Sequence, residues 1–347
     1  MLSAVALAAL PAFAEDLTWY DGRQLPLEGR AWNDTPDPFC RLPSRVKGKV
    51  TPNVWGLSDC SAGMALRFTC SEPKFVINWS LKRSRLAWPH MPATSVSGVD
   101  VYTWHGKEKG WRYRKCQKVF GQYTNEMEVA VSAGVPVMVY LPTYNGIADI
   151  RIGVRKGGTL KPLAPRPAGH EKPLVVYGTS ITQGACASRP GMAYAAILAR
   201  NLDLELINLG FAGAARQEPV MADLLAEIDA KCYIVDCMHN MDEQMTKERF
   251  EPFLRRLHQL RPAVPIITAD GCTAWMTPSK KDLFCREIVR KLRAEDPKLW
   301  GNLYHLPCEE MYPDDGDPSV DGCHPNDWGM KFVAKGFERY VREAVSQ

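Results

Sequence analysis

Leu174-Val175-Val176-Tyr177-Gly178-Thr179-Ser180-Ile181-Thr182-Gln183-Gly184 is an apolar run of four residues that breaks at a glycine and opens into a hydroxyl-rich turn. A short apolar run closed by Gly reads as a buried strand. Working outward toward the C-terminus, the rhythm repeats. Ala193 to Leu202 reads as helix, Leu204 to Asn208 as strand, Val220 to Ile228 as helix and Cys232 to Asp236 as strand. Phe250 to Leu260 then reads as helix, Val264 to Thr268 as strand, Lys281 to Leu292 as helix and Asn302 to Leu306 as a last strand. Phe332, Val333, Phe337, Tyr340 and Val341 recur at spacings of three and four on one face of a closing helix. Strand–helix alternation of this kind makes right-handed βαβ units and a parallel sheet. In such sheets a ligand sits beyond the carboxyl ends of the strands.

The chain before this stretch has another rhythm. Met64 to Cys70, Phe75 to Ser80, Val99 to Trp104, Val135 to Tyr140 and Ile147 to Val154 are short β-rich runs separated by Gly, Pro and Asn. Strands so punctuated imply a β-sandwich or jelly roll. Gly157 to Gly169 is rich in Gly and Pro and reads as a linker. The expected organisation is a β-sandwich at 15–156, a linker at 157–172 and an α/β domain at 173–347. The length of 347 residues fits two domains at about 150 residues each.

Composition excludes several classes. With 46% apolar and 24% charged residues the chain is neither disordered nor fibrous. A net charge of +4, from 43 basic and 39 acidic side chains with no run of five like charges, makes no case for nucleic acid. The eleven cysteines are scattered without a C-x-x-C pair, which argues against zinc ribbons and thioredoxin-type redox chemistry. They read mainly as small buried apolar residues. Leu2 to Pro11 is apolar, and Ala12-Phe13-Ala14 is an A-x-A pattern, so residues 1–14 read as a signal peptide of an exported protein. No Lys or Arg precedes Arg23, and a packed N-terminal helix is the other reading. No other stretch is long and apolar enough to anchor the chain across a membrane.

The candidate chemistry stands at the strand ends. Ser180 occupies the turn after the first strand of the second half; it is either a nucleophile, which needs a neighbouring base, or a helix N-cap. The G-x-x-x-x-G-K-[ST] phosphate loop is absent. Gly210 and Gly213 follow the second strand and permit a sharp turn. Asn240 follows the third strand, as an oxyanion donor or a loop cap. Asp321 stands three residues before His324, close enough for its carboxylate to orient the imidazole, with a structural Asx-turn as the alternative. An Asp-x-x-His pair could also ligate a metal, but no third and fourth ligand has convincing spacing.

The order strand-Ser, strand-Gly, strand-Asn, then Asp-x-x-His before the last helix resembles the SGNH (GDSL-type) hydrolase family. That resemblance implies a flavodoxin-like three-layer α/β/α fold, and ester hydrolysis by Ser180, His324 and Asp321. It implies an oxyanion hole from the amides of Ser180 and Gly213 and the side chain of Asn240, with no metal or organic cofactor. Two blocks depart from the family pattern: Gly178-Thr179-Ser180-Ile181 stands for Gly-Asp-Ser-Leu, and His239-Asn240-Met241 for Gly-x-Asn-Asp. In the first half, Gly98-Val99-Asp100-Val101-Tyr102 is similar to the Gly-x-Asp-Leu-Tyr signature of a β-sandwich that precedes such esterase domains. Leu141 to Asn145 and Cys186 to Met192 also look typical of this two-domain subgroup.

The expected reaction is removal of a small acyl group, O-acetyl above all, from carbohydrate or another small ester. A lipid esterase or lysophospholipase, an acyltransferase on the same residues, and a non-catalytic carbohydrate-binding protein are the alternatives. Arg189 is a candidate to bind a substrate carboxylate or to pair with a local acid. Trp88, Trp104 and Trp275 are candidates to stack on sugar or to pack in the core, with Trp275 favoured for substrate. The segment Trp88-Pro89-His90-Met91-Pro92 is a candidate to reach the site from the first half. Cys186, Cys237 and Cys323 lie beside the motif residues and should gather near the cleft without acting as nucleophiles.

Overall fold

The computed structural model describes residues 16–117, 121, 123–271, 277–313 and 315–345. The expected signal peptide, Cys272 and Trp275 lie outside the described residues. Among the described residues no helix is long and apolar enough to cross a membrane.

The first half carries strands β1 (Leu17–Asp21), β2 (Leu27–Glu28), β3 (Ala65–Cys70), β4 (Lys74–Leu81), β5 (Asp100–Trp104), β6 (Trp111–Cys116), β7 (Thr124–Ala130), β8 (Pro136–Tyr140), β9 (Ile147–Arg155) and β10 (Leu160–Pro162). Two short helices interrupt them, α1 (Pro52–Ser58) and α2 (Ala93–Val96). The strands form antiparallel sheets ordered β1-β9-β4-β7 and β10-β3-β8-β5-β6, with β2 on β3. Alternation sets their inner faces. In β7, Asn125, Met127 and Val129 are buried while the residues between them are exposed. One core draws Phe75, Ile77, Trp79, Ile150 and Ile152 from the first sheet and Leu66, Phe68, Val101, Val137 and Val139 from the second. The Gly/Pro-rich stretch read as a linker opens as β10, with Leu160 opposite Cys70. Further on, Arg166 pairs with Glu28 and donates to the Asp203 carbonyl at 3.0 Å, which ties it to both halves.

In the second half, β11 (Leu174–Gly178), β12 (Leu206–Gly210), β13 (Cys232–Asp236), β14 (Ile266–Ala269) and β15 (Leu303–Leu306) make a parallel sheet ordered β12-β11-β13-β14-β15. Its helices are α3 (Ser180–Gln183), α4 (Tyr194–Leu202), α5 (Pro219–Ala226), α6 (Glu243–Leu260), α7 (Lys280–Glu295) and α8 (Asp327–Val345). Side chains of α5, α6 and α7 cover one face of the sheet, and those of α4 and α8 the other. The strands in the middle are buried along their length and mostly apolar because both faces are covered. Helix α6 begins at Glu243 rather than Phe250: its first two turns are polar, and Asp242 caps them by accepting from the Met245 amide at 2.8 Å. Register aligns Gly178 with Gly210 on one side and with Asp236 on the other. The three motif-bearing turns therefore leave the sheet side by side.

The two halves share their cores. Trp32, Leu42, Val46, Val50 and Val54 pack with Phe211, Met221 and Leu225. Tyr102, Met138 and Tyr140 pack with α4. Asp100 is fully buried and accepts from Arg189 Nη1 at 3.2 Å and from the Gly191 amide at 3.3 Å. The Tyr102 hydroxyl accepts from Arg189 at 2.9 Å, and the Arg189 guanidinium lies 4.0 Å from the centre of the Tyr113 ring. The Asp and Tyr of the Gly98–Tyr102 motif thus clasp the loop that follows α3. Arg189 pairs with a protein acid, the second of its two readings from sequence.

Ten cysteines lie among the described residues, and eight of them are buried. The buried majority agrees with their reading as small apolar residues.

A Cβ at Gly191 would lie 2.5 Å from Tyr102 Cε2 and 3.0 Å from Asp100 Oδ1. Gly191→Ala should therefore cost about 1–3 kcal/mol in urea unfolding, as overpacking does elsewhere. An unchanged midpoint would contradict this account of the clasp.

Candidate active site

Ser180 owes its position to the residues before it. A Cβ at Gly178 would sit 2.1 Å from Thr182 Oγ1 and 2.6 Å from the Asp236 carbonyl, so only glycine lets β11 end against the next turn. Thr179 is the N-cap of α3, its side chain accepting from the Ile181 amide. Ser180 is consequently the first helical residue and not the cap, which leaves its hydroxyl for another partner. That partner is His324 Nε2, 2.9 Å from Ser180 Oγ.

His324 is held by Asp321. One carboxylate oxygen accepts from the amides of Cys323 at 3.0 Å and His324 at 2.7 Å, and the other lies 2.8 Å from His324 Nδ1. The Asx-turn and the orienting carboxylate, alternatives on sequence, are one arrangement. Burial raises the Asp321 pKa, but the two amides and the imidazole outweigh it and hold the carboxyl down at about 2. An ionised Asp321 calls for the proton on Nδ1, which leaves the Nε2 lone pair facing the serine. The loop is closed by its own backbone, the Val320 amide donating to the His324 carbonyl at 2.8 Å.

Gly213 lies in the turn after β12 with φ +66° and is exposed. Among the described residues the amides of Ser180 and Gly213 have no hydrogen-bond acceptor. Asn240 ends a short 3-10 turn, and its Nδ2 donates to the carbonyls of Ala215 at 3.1 Å and Phe211 at 3.3 Å. Both of its amide protons are thus spent on the turn that carries Gly213. Asn240 stands beside that turn and pins it.

The first half supplies groups that sequence reasoning did not single out. Tyr144 Oη donates to the Ser180 carbonyl at 3.1 Å, and Gln183 Nε2 donates to the Thr143 carbonyl at 3.1 Å. The stretch Leu141–Asn145 carried the only signal for this. Gln183 Oε1 accepts from the Ala212 amide at 3.1 Å, joining α3 to the second motif turn. Arg41 is fully buried with no carboxylate partner among the described residues; it donates to the carbonyls of Leu57, Cys60, Asn208 and Gly210 at 2.7–3.0 Å. Ser188 holds Asp327 through its amide at 2.8 Å and its hydroxyl at 2.5 Å, which links the clasped loop to the residues just after His324.

The segment Trp88–Pro92 does reach the site: the His90 and His324 rings are 5.7 Å apart. Cys186 Sγ donates to the His90 carbonyl at 3.4 Å, and Cys323 Sγ is 3.6 Å from His239 Nδ1. Cys237 is buried beneath the strand ends, against the Tyr177 carbonyl. Burial raises the Cys186 thiol to about 12, so at neutral pH it is not a thiolate nucleophile.

Comparison with known proteins gives the family and the fold. Residues 171–342 match the model of the GDSL-like lipase/acylhydrolase family, and residues 17–160 match the N-terminus of SGNH-hydrolase-type esterases. A Bacteroides ovatus protein assigned as a GDSL-like lipase is 28% identical with a TM-score of 0.82, over 95% of this chain and 98% of its own. A salicylyl-acyltransferase from a tetracycline biosynthetic pathway shares the fold at 18% identity and a TM-score of 0.71, over 95% and 98% of the two chains. A family two carbohydrate esterase from Clostridium thermocellum, solved with cellohexaose, shares it at 14% identity and a TM-score of 0.58, over 92% and 99%. No match was found among curated proteins. The chain belongs to the GDSL-like (SGNH) lipase/acylhydrolase family, in the form that carries the Gly-x-Asp-Leu-Tyr N-terminal half.

Proposed function

We propose that this protein is an exported serine esterase that removes small acyl groups, O-acetyl in the first place, from carbohydrate. The observation that carries the reading is the hydrogen-bonded series Ser180 Oγ, His324 Nε2, His324 Nδ1 and Asp321, with spacings of 2.9 and 2.8 Å. A serine hydroxyl is a poor nucleophile unless a base takes its proton. In this mechanism Ser180 Oγ attacks the ester carbonyl as its proton passes to His324 Nε2. Asp321 steadies the imidazolium that results. The amides of Ser180 and Gly213 receive the oxyanion. Asn240 joins them by giving up its longer contact, to the Phe211 carbonyl. His324 then protonates the departing alcohol, and a water activated by the same imidazole releases the acid from Ser180.

The substrate class is supported by what borders the cleft. Trp88 is 40% exposed and stands two residues from His90, on the segment that approaches His324. An exposed indole on that segment suits a sugar face on the side that Arg85 does not cover. In this reading the first half is a β-sandwich that frames the cleft. The Ala12-Phe13-Ala14 pattern is the support for export.

Ser180→Ala should reduce hydrolysis of p-nitrophenyl acetate by about 10⁴-fold or more while leaving the fold intact. Wild-type turnover in that variant would refute the assignment. Asn240→Ala should cost less, at most about 10²–10³-fold, as for a single oxyanion donor. A loss equal to that of Ser180→Ala would contradict its supporting role. Because its folded pKa is lowered, the Asp321 carboxylate should add stability that is fully present above about pH 4 and is lost as the pH falls toward about 2, a pH dependence of urea unfolding that Asp321→Asn should remove. An unchanged pH dependence in that variant would contradict the hold of Asp321 on the loop. Acetate release from a panel of acetylated polysaccharides tests the substrate class; activity confined to long-chain lipid esters would overturn it.

A further inference from the structure

We propose that His90, Cys186 and His324 form a binding site for a borderline-soft divalent cation of the Zn²⁺ type, and that its occupation switches the enzyme off. The three residues come from separate segments: the first-half loop before α2, the loop after α3, and the loop before α8. One ligating atom from each lies within 4.8 Å of the others. A tetrahedral Zn²⁺, with bonds of about 2.0–2.1 Å to nitrogen and 2.3 Å to sulfur, requires its ligand atoms to close by roughly an ångström from that spacing. The exposed His90 ring can make that movement.

Two imidazoles and a thiol are the donors that Zn²⁺ prefers over the hard cations. His324 Nδ1 is committed to Asp321, so Nε2 is its ligand atom, and the carboxylate stands behind the ring as it does behind many zinc-bound histidines. Ser180 Oγ, 2.9 Å from the same Nε2, or a water takes the fourth position. The two other groups of potential ligands among the described residues differ in one respect. Lys82 already sits among Asp37, Cys40 and Asp59, and Arg286 among Asp270, Cys308 and Glu309. A bound metal there would have to displace a cation. By contrast, the ionised group acting on the Cys186 thiol is the Asp321 carboxylate.

On binding, the Cys186 S–H bond breaks as the metal–sulfur bond forms, and its proton leaves to the buffer. The Nε2 lone pair passes from the Ser180 hydroxyl to the metal, so the hydrogen bond to the serine is lost. The inhibition rests on the reading of His324 as the catalytic base; the binding does not.

The test uses the whole chain. Co²⁺, as a spectroscopic stand-in for Zn²⁺, should give thiolate charge-transfer absorption in the near ultraviolet that Cys186→Ser abolishes and His90→Ala weakens. Zn²⁺ should inhibit p-nitrophenyl acetate hydrolysis reversibly, with a chelator restoring it. The half-inhibiting concentration should rise about tenfold or more in both variants, while their metal-free rates stay within about twofold of wild type. Absence of the Co²⁺ band, or its persistence in Cys186→Ser, would overturn the site. A normal band with Zn²⁺-insensitive hydrolysis would leave the site standing and overturn the switch.

Discussion

The carboxylate of Asp100, buried in the first half and paired with Arg189 of the second, is the interaction on which the arrangement of the molecule turns. Burying a charge is costly unless it is paired, and removing one partner of such a pair typically costs about 3–5 kcal/mol. Asp100 also takes the Gly191 amide, and Tyr102 of the same strand reaches Arg189. The loop so clasped carries Ser188, and Ser188 holds Asp327 beside the His324 loop. A contact between the halves thereby reaches residues that flank both Ser180 and His324, although these two stand 144 positions apart in the chain.

The same logic explains other buried polar groups. Arg41 spends its guanidinium on four carbonyls, two of them at the end of β12, just before the turn with Gly213. With no carboxylate partner among the described residues, the charge is met by peptide dipoles and by the Phe211 ring, 4.8 Å from the guanidinium, and burial lowers its pKa to about 10. Tyr144 takes up the Ser180 carbonyl, and Gln183 bridges the Thr143 carbonyl and the Ala212 amide. Each joins a backbone group of one half to a turn that bears a candidate catalytic residue. The first half is thus a frame for the cleft as well as a neighbour to it.

The legible part of this design is the part carried by local chemistry. Short apolar runs ending in Gly or Asp disclosed the strands, and their ends offered Ser180, Gly213 and Asn240 as candidates, because chemistry in a parallel sheet gathers at one edge; Asp321 and His324 stand before the last helix, and the order of these blocks carried the assignment. Asp321 and His324 were readable as a pair since three residues of loop suffice to join them. Less was legible where the partner is remote. Arg41 has no sequence pattern, because its acceptors are carbonyls that every residue owns. Arg189 admitted two readings until Asp100 was placed 3.2 Å away. Residues 32–54 gave no hint that they pack on the core beside Phe211, since apolar residues do not name their neighbours. Helix α6 was read short because periodicity is silent over two polar turns.

The central claim is that Ser180 is a nucleophile activated by His324. Labelling the whole chain with a fluorophosphonate probe and mapping the adduct by mass spectrometry tests it most directly. The account predicts one adduct, on Ser180, formed by displacement of fluoride and strongly slowed in His324→Ala. An unlabelled Ser180 in a protein that still hydrolyses esters, or an adduct at another serine, would contradict it.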